Sequence, residues 1–311
     1  MNKSRAAAID FGSNSIRLLI AEYDNNGLNV IYQDLITTRL AKSIEDNQVL
    51  DMASVNKTIE AVKKFNDKMR IFEVDRYKTA GTSALRDADN SDYFIKLLED
   101  TTGIKLDIIS GNREAKLTYN GATSDINDSK NLIIDIGGGS TEFIKMEEGR
   151  PKEVSLNMGA VRFTERFIND PNLKITRSTQ QEIINEATDY LQNNFQFNYK
   201  ESFIGVGGTI TTLAAIDKEL VNFEPDKIEG YNLKLVRVNK IINNLSSMVI
   251  DERKKVHGLE EERADIIIAG SLILKAILEF FSADDITVSN KDLLYGLIIE
   301  IFKENQYYLF N

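Results

Sequence analysis

The sequence predicts an α/β protein built from two similar domains, because strand patterns alternate with helical patterns and one short pattern occurs twice. An apolar run reaches Asp10 in AAAIDFGSNSIRLLI, and a second reaches Asp135 in LIIDIGGGSTEFI. Each run then passes through a turn of glycines and small polar residues into another apolar strand. Asp135 follows Asp10 by 125 positions (135 − 10), as Gly137 follows Gly12 and Ser140 follows Ser15. We interpret this as an internal repeat whose copies each open one domain, with the two turns facing a common cleft.

The first half of the chain alternates between strands and helices. Residues 5–22 predict a β-hairpin, Asn-Gly at 26–27 predicts a further turn, and NVIYQDLITTRLA predicts a third strand. From Ser54 an apolar stripe recurs every three or four residues, which predicts a helix. The remaining expected elements are RYKTAGTSALRDA as a short strand that enters a loop, 92–101 as a helix, KLDIIS as a strand and GNREAKLTYNGA as a helix.

The second half repeats this plan. The expected elements are NLIIDIGGGSTEFIKM as strand, turn and strand, EEGRPKEVSLNMG as a turn and a strand, ESFIGVGGTITTLAAI as strand, glycine loop and helix, and DDITVSN as a late strand. Helices are expected around 160–168 and 178–195, and at 235–249, 260–281 and 291–304. We place the domain boundary in the polar NDSKN segment at 126–130, which gives domains 1–127 and 128–311. The last helix could pack back on the first domain. The apolar segment 266–281 suits either a buried core helix or a subunit interface.

The composition excludes several kinds of site. The 311 residues include 38 lysines and arginines against 48 aspartates and glutamates, a net charge of −10, which argues against general nucleic-acid binding. The absence of cysteine and the single histidine, His257, exclude disulfides, thiolate metal sites and zinc sites of several histidines. Hydrolytic chemistry would therefore depend on carboxylates, an oxygen-preferring metal ion and backbone amides.

The sequence gives no sign of a membrane segment. No apolar stretch approaches the ~18 residues that span a bilayer. Asp10 interrupts the N-terminal MNKSRAAAID too early for the apolar part of a signal peptide. We expect a cytoplasmic protein without a membrane partner.

Three glycine-rich segments suggest phosphate binding, because such turns let backbone amides approach an anion without a side-chain clash. The third, GVGGT at 205–209, lies between a strand and a helix, where the helix dipole favours an anion. A simple tight turn is the alternative for each. The spacings of the P-loop and of the dinucleotide-binding GxGxxG are absent. The candidate phosphate-binding residues are Gly12, Ser13, Asn14, Ser15, Gly137, Gly138, Gly139, Ser140, Thr141, Gly207, Gly208 and Thr209.

Carboxylates at the two hairpins could hold a metal ion. Asp135 and Glu142 bracket the second glycine turn, and a tight hairpin would bring them together on one Mg²⁺, with Asp10 adding to it from the facing wall. A turn-capping role is the alternative for Asp135. An exposed strand face is the alternative for Glu142.

Two further residues are candidates for catalysis. Glu114 opens a helix in SGNREA, where it could act as a base, although a glutamate there also stabilises a helix N-terminus. Arg86 follows a short strand and could clamp a phosphate, or it could pair with Asp87 or Asp89. Local spacing alone leaves both alternatives open.

Taken together, the motifs resemble the exopolyphosphatase / guanosine pentaphosphate phosphohydrolase (Ppx/GppA) family from residue 8 to about 296. The matching segments are IDFGSNSIRLLI, AGTSALRDA, IISGNREA, IDIGGGSTE, LNMGAVRFTERF, GVGGTIT and ERADIIIAG. The resemblance implies two ribonuclease-H-like, actin-like domains with an active-site cleft between them, in the short two-domain form of the family. It also implies a homodimer.

The resemblance implies a reaction as well: Mg²⁺-dependent removal of the terminal phosphate from inorganic polyphosphate, or of the 5′ γ-phosphate from guanosine pentaphosphate, with Mn²⁺ as a possible substitute. It makes Glu114 the base, Asp135 and Glu142 the metal carboxylates, and Arg86 a phosphate clamp. The chain departs from the family in SNKDLLYG at 289–296, where Asn290 and Leu294 replace the usual Asp and Arg. We therefore expect the contacts at these two positions to differ from those in the family, and the substrate preference could shift with them.

Two other functions suit the same pattern. An ATP-dependent kinase on the actin-like scaffold would transfer phosphate to an acceptor other than water. A sensor of polyphosphate or guanosine pentaphosphate would bind without hydrolysis. The joint presence of Glu114, Arg86, Asp135 and Glu142 favours catalysis.

Overall fold

The computed structural model describes residues 4–24, 27–42, 44–124, 131–148, 150–195, 202–221 and 224–309. The Asn-Gly turn and the 126–130 linker lie wholly or partly outside these ranges. The elements in chain order are β1 Ser4–Phe11, β2 Ser15–Asp24, β3 Gly27–Thr37, α1 Ile44–Asn47, α2 Met52–Ile71, β4 Arg76–Gly81, α3 Ser83–Asp87, α4 Ser91–Thr102, α5 Gly111–Ala122, β5 Asn131–Ile136, β6 Thr141–Glu147, β7 Arg150–Leu156, α6 Ala160–Phe167, α7 Arg177–Asn194, β8 Ser202–Val206, α8 Gly207–Asp217, α9 Pro225–Ile228, β9 Tyr231–Lys234, α10 Leu235–Ser246, α11 Ile250–Arg253, a 3-10 turn Glu261–Arg263, α12 Ile267–Phe280, β10 Asp285–Val288 and α13 Leu293–Leu309.

The chain forms two compact units. The first contains Met1–Ser124 together with Lys291–Asn311, and the second contains Asp125–Asn290. The sequence predicts residues 128–311 as the second domain, with a last helix that could pack back on the first. In the structure α13 belongs to the first unit because its apolar residues share a core with β1, β2 and α5. The α13 residues of this core are Leu293, Leu294, Leu297, Ile298, Ile301 and Phe302.

The sheet of the first unit has the order β3-β2-β1-β4. Its first three strands are antiparallel neighbours, whereas β4 runs parallel to β1. Ile108 forms an isolated parallel bridge to Gly81, on the far side of β4. The expected KLDIIS strand is thus reduced to a single bridge, but it occupies the position of a fifth strand.

The sheet of the second unit repeats this plan. Its order is β7-β6-β5-β8-β10-β9, with β5, β6 and β7 antiparallel and β8 and β10 parallel to β5. The first five strands have the ribonuclease-H-like order, and β9 is an added antiparallel edge strand. The predicted α/β class with two similar domains is therefore confirmed.

The core of the second unit is formed largely by the helices that cover its sheet. Helix α12 is buried along almost its whole length, so segment 266–281 is a core helix. In the described ranges no helix has both the length and the apolar character needed to cross a bilayer.

Helix α2 shows how local sequence sets an element. Asp51 precedes it and its carboxylate accepts the amide hydrogen of Ser54 at 3.1 Å, which satisfies a donor in the first turn. Helix formation therefore begins at Met52, slightly before the expected Ser54. The predicted apolar stripe is buried from Val55 to Met69.

Two segments expected to be loops are helical instead. After β4 the chain forms α3, which contains Arg86 in its last turn. After β8 it enters α8 directly, so Gly207 and Gly208 lie in the first turn of a helix. The predicted strand-to-helix transition is present, and no loop intervenes because the left-handed backbone of Gly207 (φ 82°) makes the change of direction in one residue.

Candidate active site

The two repeated turns have the same hydrogen bond. In the β1–β2 hairpin the amide of Gly12 donates to the carbonyl of Ser15 at 3.1 Å, and in the β5–β6 hairpin Gly137 donates to Ser140 at 3.0 Å. The donors and acceptors are equivalent positions of the sequence repeat. The internal repeat is therefore also a structural repeat.

In both turns the carbonyl groups point at a following segment. The carbonyls of Ser13 and Asn14 accept amide hydrogens from residues 38, 39 and 41, at 2.8–3.0 Å. Those of Gly137 and Gly138 accept from residues 160–162 at the start of α6, at 2.8–3.1 Å. In the described part of the chain, the amide N–H groups of Ser13, Asn14, Gly138 and Gly139 have no protein acceptor. Such free donors suit an anion.

The first turn and the residue after β3 that contacts it also have buried polar side chains without partners. Among the described residues, Asn14 Nδ2 and Thr38 Oγ1 are buried and make no hydrogen bond. The next residue, Arg39, has a left-handed backbone at φ 59°, which is unfavourable for a residue with a side chain. Both buried groups can donate to a phosphate oxygen. Thr38 was absent from the sequence predictions, since no motif pointed to it.

The hydroxyl groups of the turns differ in availability. Ser13 Oγ lies 2.9 Å from Ser83 Oγ, so α3 orients it. The Thr141 side chain is fully buried and its hydroxyl donates to the carbonyl of Met158. Thr141 thus has no hydroxyl proton left for a phosphate and instead fixes the turn. Ser15, Ser140 and Thr209 are all buried beside the glycines.

The N-terminus of α8 provides the third predicted segment. Val206 precedes it without a capping side chain. A Cβ added at Gly208 would overlap the guanidinium of Arg263, so this cation lies directly against the first turn of the helix. Arg263 is mostly buried, and its Nε donates to Glu260 at 2.6 Å. Arg263 lies within the ERADIIIAG motif but is not among the residues predicted from the sequence.

The two carboxylates of the second hairpin lie opposite each other. Asp135 on β5 pairs in register with Glu142 on β6, and Glu142 pairs with Ser155 on β7, so the three side chains share one face of the sheet. Ser155 Oγ donates to Glu142 Oε1 at 3.0 Å. A Cβ added at Gly207 would overlap Asp135 Oδ1, so the carboxylate fits only against a glycine.

Asp10, the equivalent of Asp135 in the first hairpin, lies opposite an arginine instead of a glutamate. It pairs in register with Arg17 on β2, whose Nε and Nη2 donate to Asp10 Oδ2 at 2.9 and 2.6 Å. Arg17 Nη1 donates to Asp292 Oδ2, just before α13. Burial raises the pKa of Asp10, against the lowering effect of Arg17. Burial by itself lowers the pKa of Arg17. The negative charges of Asp292 and Asp10 together have the larger effect, so the pKa of the arginine is raised.

Glu114 and Arg86 form an ion pair in the first unit. Helix α5 begins after Ser110, which caps it, and brings Glu114 Oε2 within 2.7 Å of Arg86 Nη1. The same nitrogen donates to the carbonyl of Ile109 at 3.1 Å. Burial raises the pKa of Glu114, the charge of Arg86 lowers it, and the nearby charge of Asp10 raises it further. Arg86 thus pairs with Glu114, whereas the sequence alternative was a pair with Asp87 or Asp89.

The two hairpins carry different side chains at one pair of equivalent positions. Arg17 and Glu142 are 125 positions apart (142 − 17), so they are equivalent residues opposite equivalent aspartates. The first hairpin thus carries a carboxylate and a guanidinium, and the second carries two carboxylates. Two neighbouring carboxylates are stabilised by a cation between them.

The residues fit a magnesium ion. In the described ranges no group of three acidic or histidine side chains is close enough to hold a metal by itself. Mg²⁺ commonly binds one or two carboxylates and completes its shell with water and phosphate oxygens. Asp135 and Glu142 meet that requirement in the second unit. In the first unit Asp10 Oδ1 is buried without a hydrogen-bond partner among the described residues, and such an oxygen can accept a cation.

In the segment 289–296, which departs from the family pattern, both replaced residues make contacts within their own unit. Leu294 is 3% exposed and packs in the core of the first unit, where the family carries Arg. The amide of Asn290 donates to Glu229 at 2.7 Å. Position 294 therefore contributes apolar packing and no charge.

The strand orders and the duplicated hairpins with free amides define the class of the protein: two ribonuclease-H-like units, each with a polar turn where its first strand ends. The chain belongs to the Ppx/GppA phosphatase family, whose family model matches residues 19–305. The resemblance seen in the sequence motifs is thereby confirmed.

Known relatives agree with this membership. A bifunctional 3-dehydroquinate synthase/phosphatase of Fusobacterium nucleatum is 37% identical over 96% of this chain, which spans 47% of that longer protein. Exopolyphosphatase 2 of Mycobacterium tuberculosis is 26% identical over 97% of this chain and 99% of its own length. The crystal structure of the Aquifex aeolicus Ppx/GppA family member is 28% identical, with a TM-score of 0.81 over 98% of this chain and 99% of its own.

Proposed function

We propose that this protein is a Mg²⁺-dependent phosphoanhydride hydrolase that releases the terminal phosphate from inorganic polyphosphate, or the 5′ γ-phosphate from guanosine pentaphosphate. The partly buried ion pair of Glu114 and Arg86 is the main observation in support. Membership of the Ppx/GppA phosphatase family and the similarity to an exopolyphosphatase support the substrate class.

In the proposed reaction Glu114 accepts a proton from the attacking water. The water oxygen forms a bond to the terminal phosphorus, the bond from phosphorus to the bridging oxygen breaks, and the leaving phosphate takes up a proton from solvent. Arg86 orients the Glu114 carboxylate through its 2.7 Å hydrogen bond and holds positive charge beside it. General base catalysis of this kind contributes about 10²–10⁴-fold.

The remaining residues bind and orient phosphate and metal. The free amides of Ser13, Asn14, Gly138 and Gly139 would donate to phosphate oxygens. Asp135 and Glu142 would hold Mg²⁺, which when bound offsets the negative charge of the phosphate oxygens.

Phosphate release tests the proposal. The purified protein is incubated with polyphosphate, guanosine pentaphosphate or ATP, each with Mg²⁺ and with excess chelator. We expect metal-dependent release from one of the first two substrates and much less from ATP. Failure to release phosphate from any of them, with either Mg²⁺ or Mn²⁺, would contradict the proposal. Tight binding of polyphosphate without release would then indicate a sensor.

The activity should fall on the acid side at a pH above that expected for an ordinary glutamate. Only ionised Glu114 can accept a proton, and burial raises its pKa, so turnover rises as pH rises through that raised value. Arg86→Gln removes a charge that lowers the pKa, and we expect its acid limb to move to higher pH. The pH dependence of kcat/KM measures both effects.

Arg113→Gln is the matched control for the Arg86 variant. It removes the same charge from the residue next to Glu114, but Arg113 pairs with Glu300 at 3.2 Å. Its acid limb should stay at the wild-type position. An equal displacement in both variants would show that long-range charge, rather than the Arg86 contact, sets the pKa.

Gly207→Ala should lower turnover strongly. The added methyl group would overlap Asp135 Oδ1 and displace the carboxylate. A displacement of about 1 Å in a catalytic site can reduce the rate about 10²-fold. Phosphate release at saturating substrate measures the loss.

Gly103→Ala controls for backbone strain in the Gly207 variant. Gly103 has a similar left-handed backbone, φ 72° against 82°, but nothing within 4 Å of an added Cβ. It should lose some stability and keep its turnover. If both variants retain activity, Asp135 does not depend on the close fit with Gly207.

A further inference from the structure

The cluster formed by Asp10, Arg17 and Asp292 has one more carboxylate than it has cations. Arg17 uses Nε and Nη2 for Asp10 and Nη1 for Asp292. Both aspartate side chains are more than nine-tenths buried, and the arginine side chain is 24% exposed. A buried Asp10–Arg17 pair alone would be neutral, so Asp292 gives the cluster its excess negative charge.

Asp292 is held firmly in this position. Its Oδ1 accepts the amide hydrogen of Leu294 at 3.1 Å, which caps the first turn of α13, while its Oδ2 accepts from Arg17. A Cβ added at Gly121 of α5 would overlap the backbone carbonyl of Asp292, so the segment is packed closely against that helix. The carboxylate is therefore fixed from two sides.

One oxygen in the cluster has no partner. Asp10 Oδ1 is buried, and no described residue donates a hydrogen bond to it. An unpaired carboxylate oxygen in a cluster with excess negative charge attracts a cation and repels an anion. The neighbouring Glu114–Arg86 pair is neutral as a whole and does not reverse this balance.

We infer that Asp292 is a specificity-determining residue: its charge makes the Asp10 cluster bind a divalent cation at Asp10 Oδ1 in preference to a bare phosphate. This inference deepens the proposed function, on which it rests for the chemistry of the substrate. Anionic substrate would then meet the first unit as a metal complex. Asp292 lies in SNKDLLYG, the segment that departs from the family pattern.

The test measures cation and anion binding separately, without turnover. Mn²⁺ is the cation probe, counted by the electron paramagnetic resonance signal of the free ion. Tripolyphosphate in chelator is the anion probe, measured by calorimetry. Every protein also carries Asp135→Asn, which removes a carboxylate of the other proposed cation site.

Asp292→Asn removes the charge but keeps an oxygen to cap α13. We expect Mn²⁺ binding to weaken about tenfold, from the loss of one nearby charge. Tripolyphosphate binding should stay equal or become tighter. Asp292→Ser, a smaller capping residue without charge, should behave in the same way and serves if the first variant does not fold.

Asp51→Asn is the matched control. It neutralises an aspartate that caps α2 in the same unit, with the same change in net charge. It should bind both probes as the Asp135→Asn parent does.

Four results would overturn the inference. Three of them are no Mn²⁺ binding in the parent, unchanged Mn²⁺ binding in the Asp292 variants, and an equal loss in Asp51→Asn. The fourth is a parallel loss of both probes, which would indicate a structural role for Asp292. Because no hydrolysis is measured, these results are distinguishable from a failure of the proposed phosphatase activity.

Discussion

Replacing Glu114 with Gln should reduce phosphate release about 10²–10⁴-fold, the usual contribution of a general base. The amide has nearly the shape of the carboxylate and can still accept a hydrogen bond from Arg86, but it cannot take a proton from water. The fold should be retained. Phosphate release at saturating polyphosphate and guanosine pentaphosphate measures the effect, with circular dichroism as the check on folding.

Glu22→Gln provides the matched control. Glu22 is also a buried glutamate of the first unit, 5% exposed, and it accepts a hydrogen bond from Arg5 Nε at 3.2 Å. Its variant should release phosphate at close to the wild-type rate. Near-normal turnover in Glu114→Gln would exclude Glu114 as the base, and an equal loss in both variants would point to a structural cause.

Replacing Arg253 with Met should destabilise the protein by about 3–5 kcal/mol, because buried polar groups would lose their partners. Arg253 is 0% exposed. Its guanidinium donates to five backbone carbonyls, those of Pro171, Leu173, Leu245, Met248 and Ala264. These carbonyls lie in three separate segments of the second unit: the α6–α7 connection, the end of α10 with the residues after it, and the residue before Asp265. One side chain therefore joins all three segments. Burial lowers the arginine pKa, against the raising effect of Asp265.

Urea unfolding followed by circular dichroism measures the loss. Arg166→Met is the control: Arg166 is in the same unit and pairs with Glu186, but its side chain is 47% exposed. An exposed ion pair contributes about 0–1 kcal/mol, so this variant should remain close to wild type. Similar stability of the two variants would show that the carbonyls are satisfied by water when Arg253 is removed.

The repeated hairpins were predictable because their chemistry is local. The Asp-turn pattern fixes a strand, a tight turn and a returning strand within about ten residues, and local hydrogen bonds such as Gly12 to Ser15 complete it. The pairing of Asp135 with Glu142 follows from the same geometry. Placing Arg86 beside Glu114 required the tertiary structure, since α3 and α5 are separate elements.

Two residues that were not predicted, Arg17 and Arg253, have partners far away in the chain. Arg17 looks like one polar residue in an apolar strand, and its partner Asp292 is 275 positions away. Arg253 lies in a charged segment, DERKK, which suggests an exposed helix end. Its burial depends also on the segment with Pro171 and Leu173, which is about 80 positions away, and no short-range pattern predicts that contact.

The first unit is made of two separate stretches of the chain, and this affects the order of folding. Its core is not complete until residues 293–302 have been synthesised, because they pack on β1, β2 and α5. The second unit, Asp125–Asn290, is continuous in the chain and is fully synthesised before that point. Domains generally fold in the order in which they leave the ribosome. Here we expect that order to be reversed, so that the unit begun first is the one finished last.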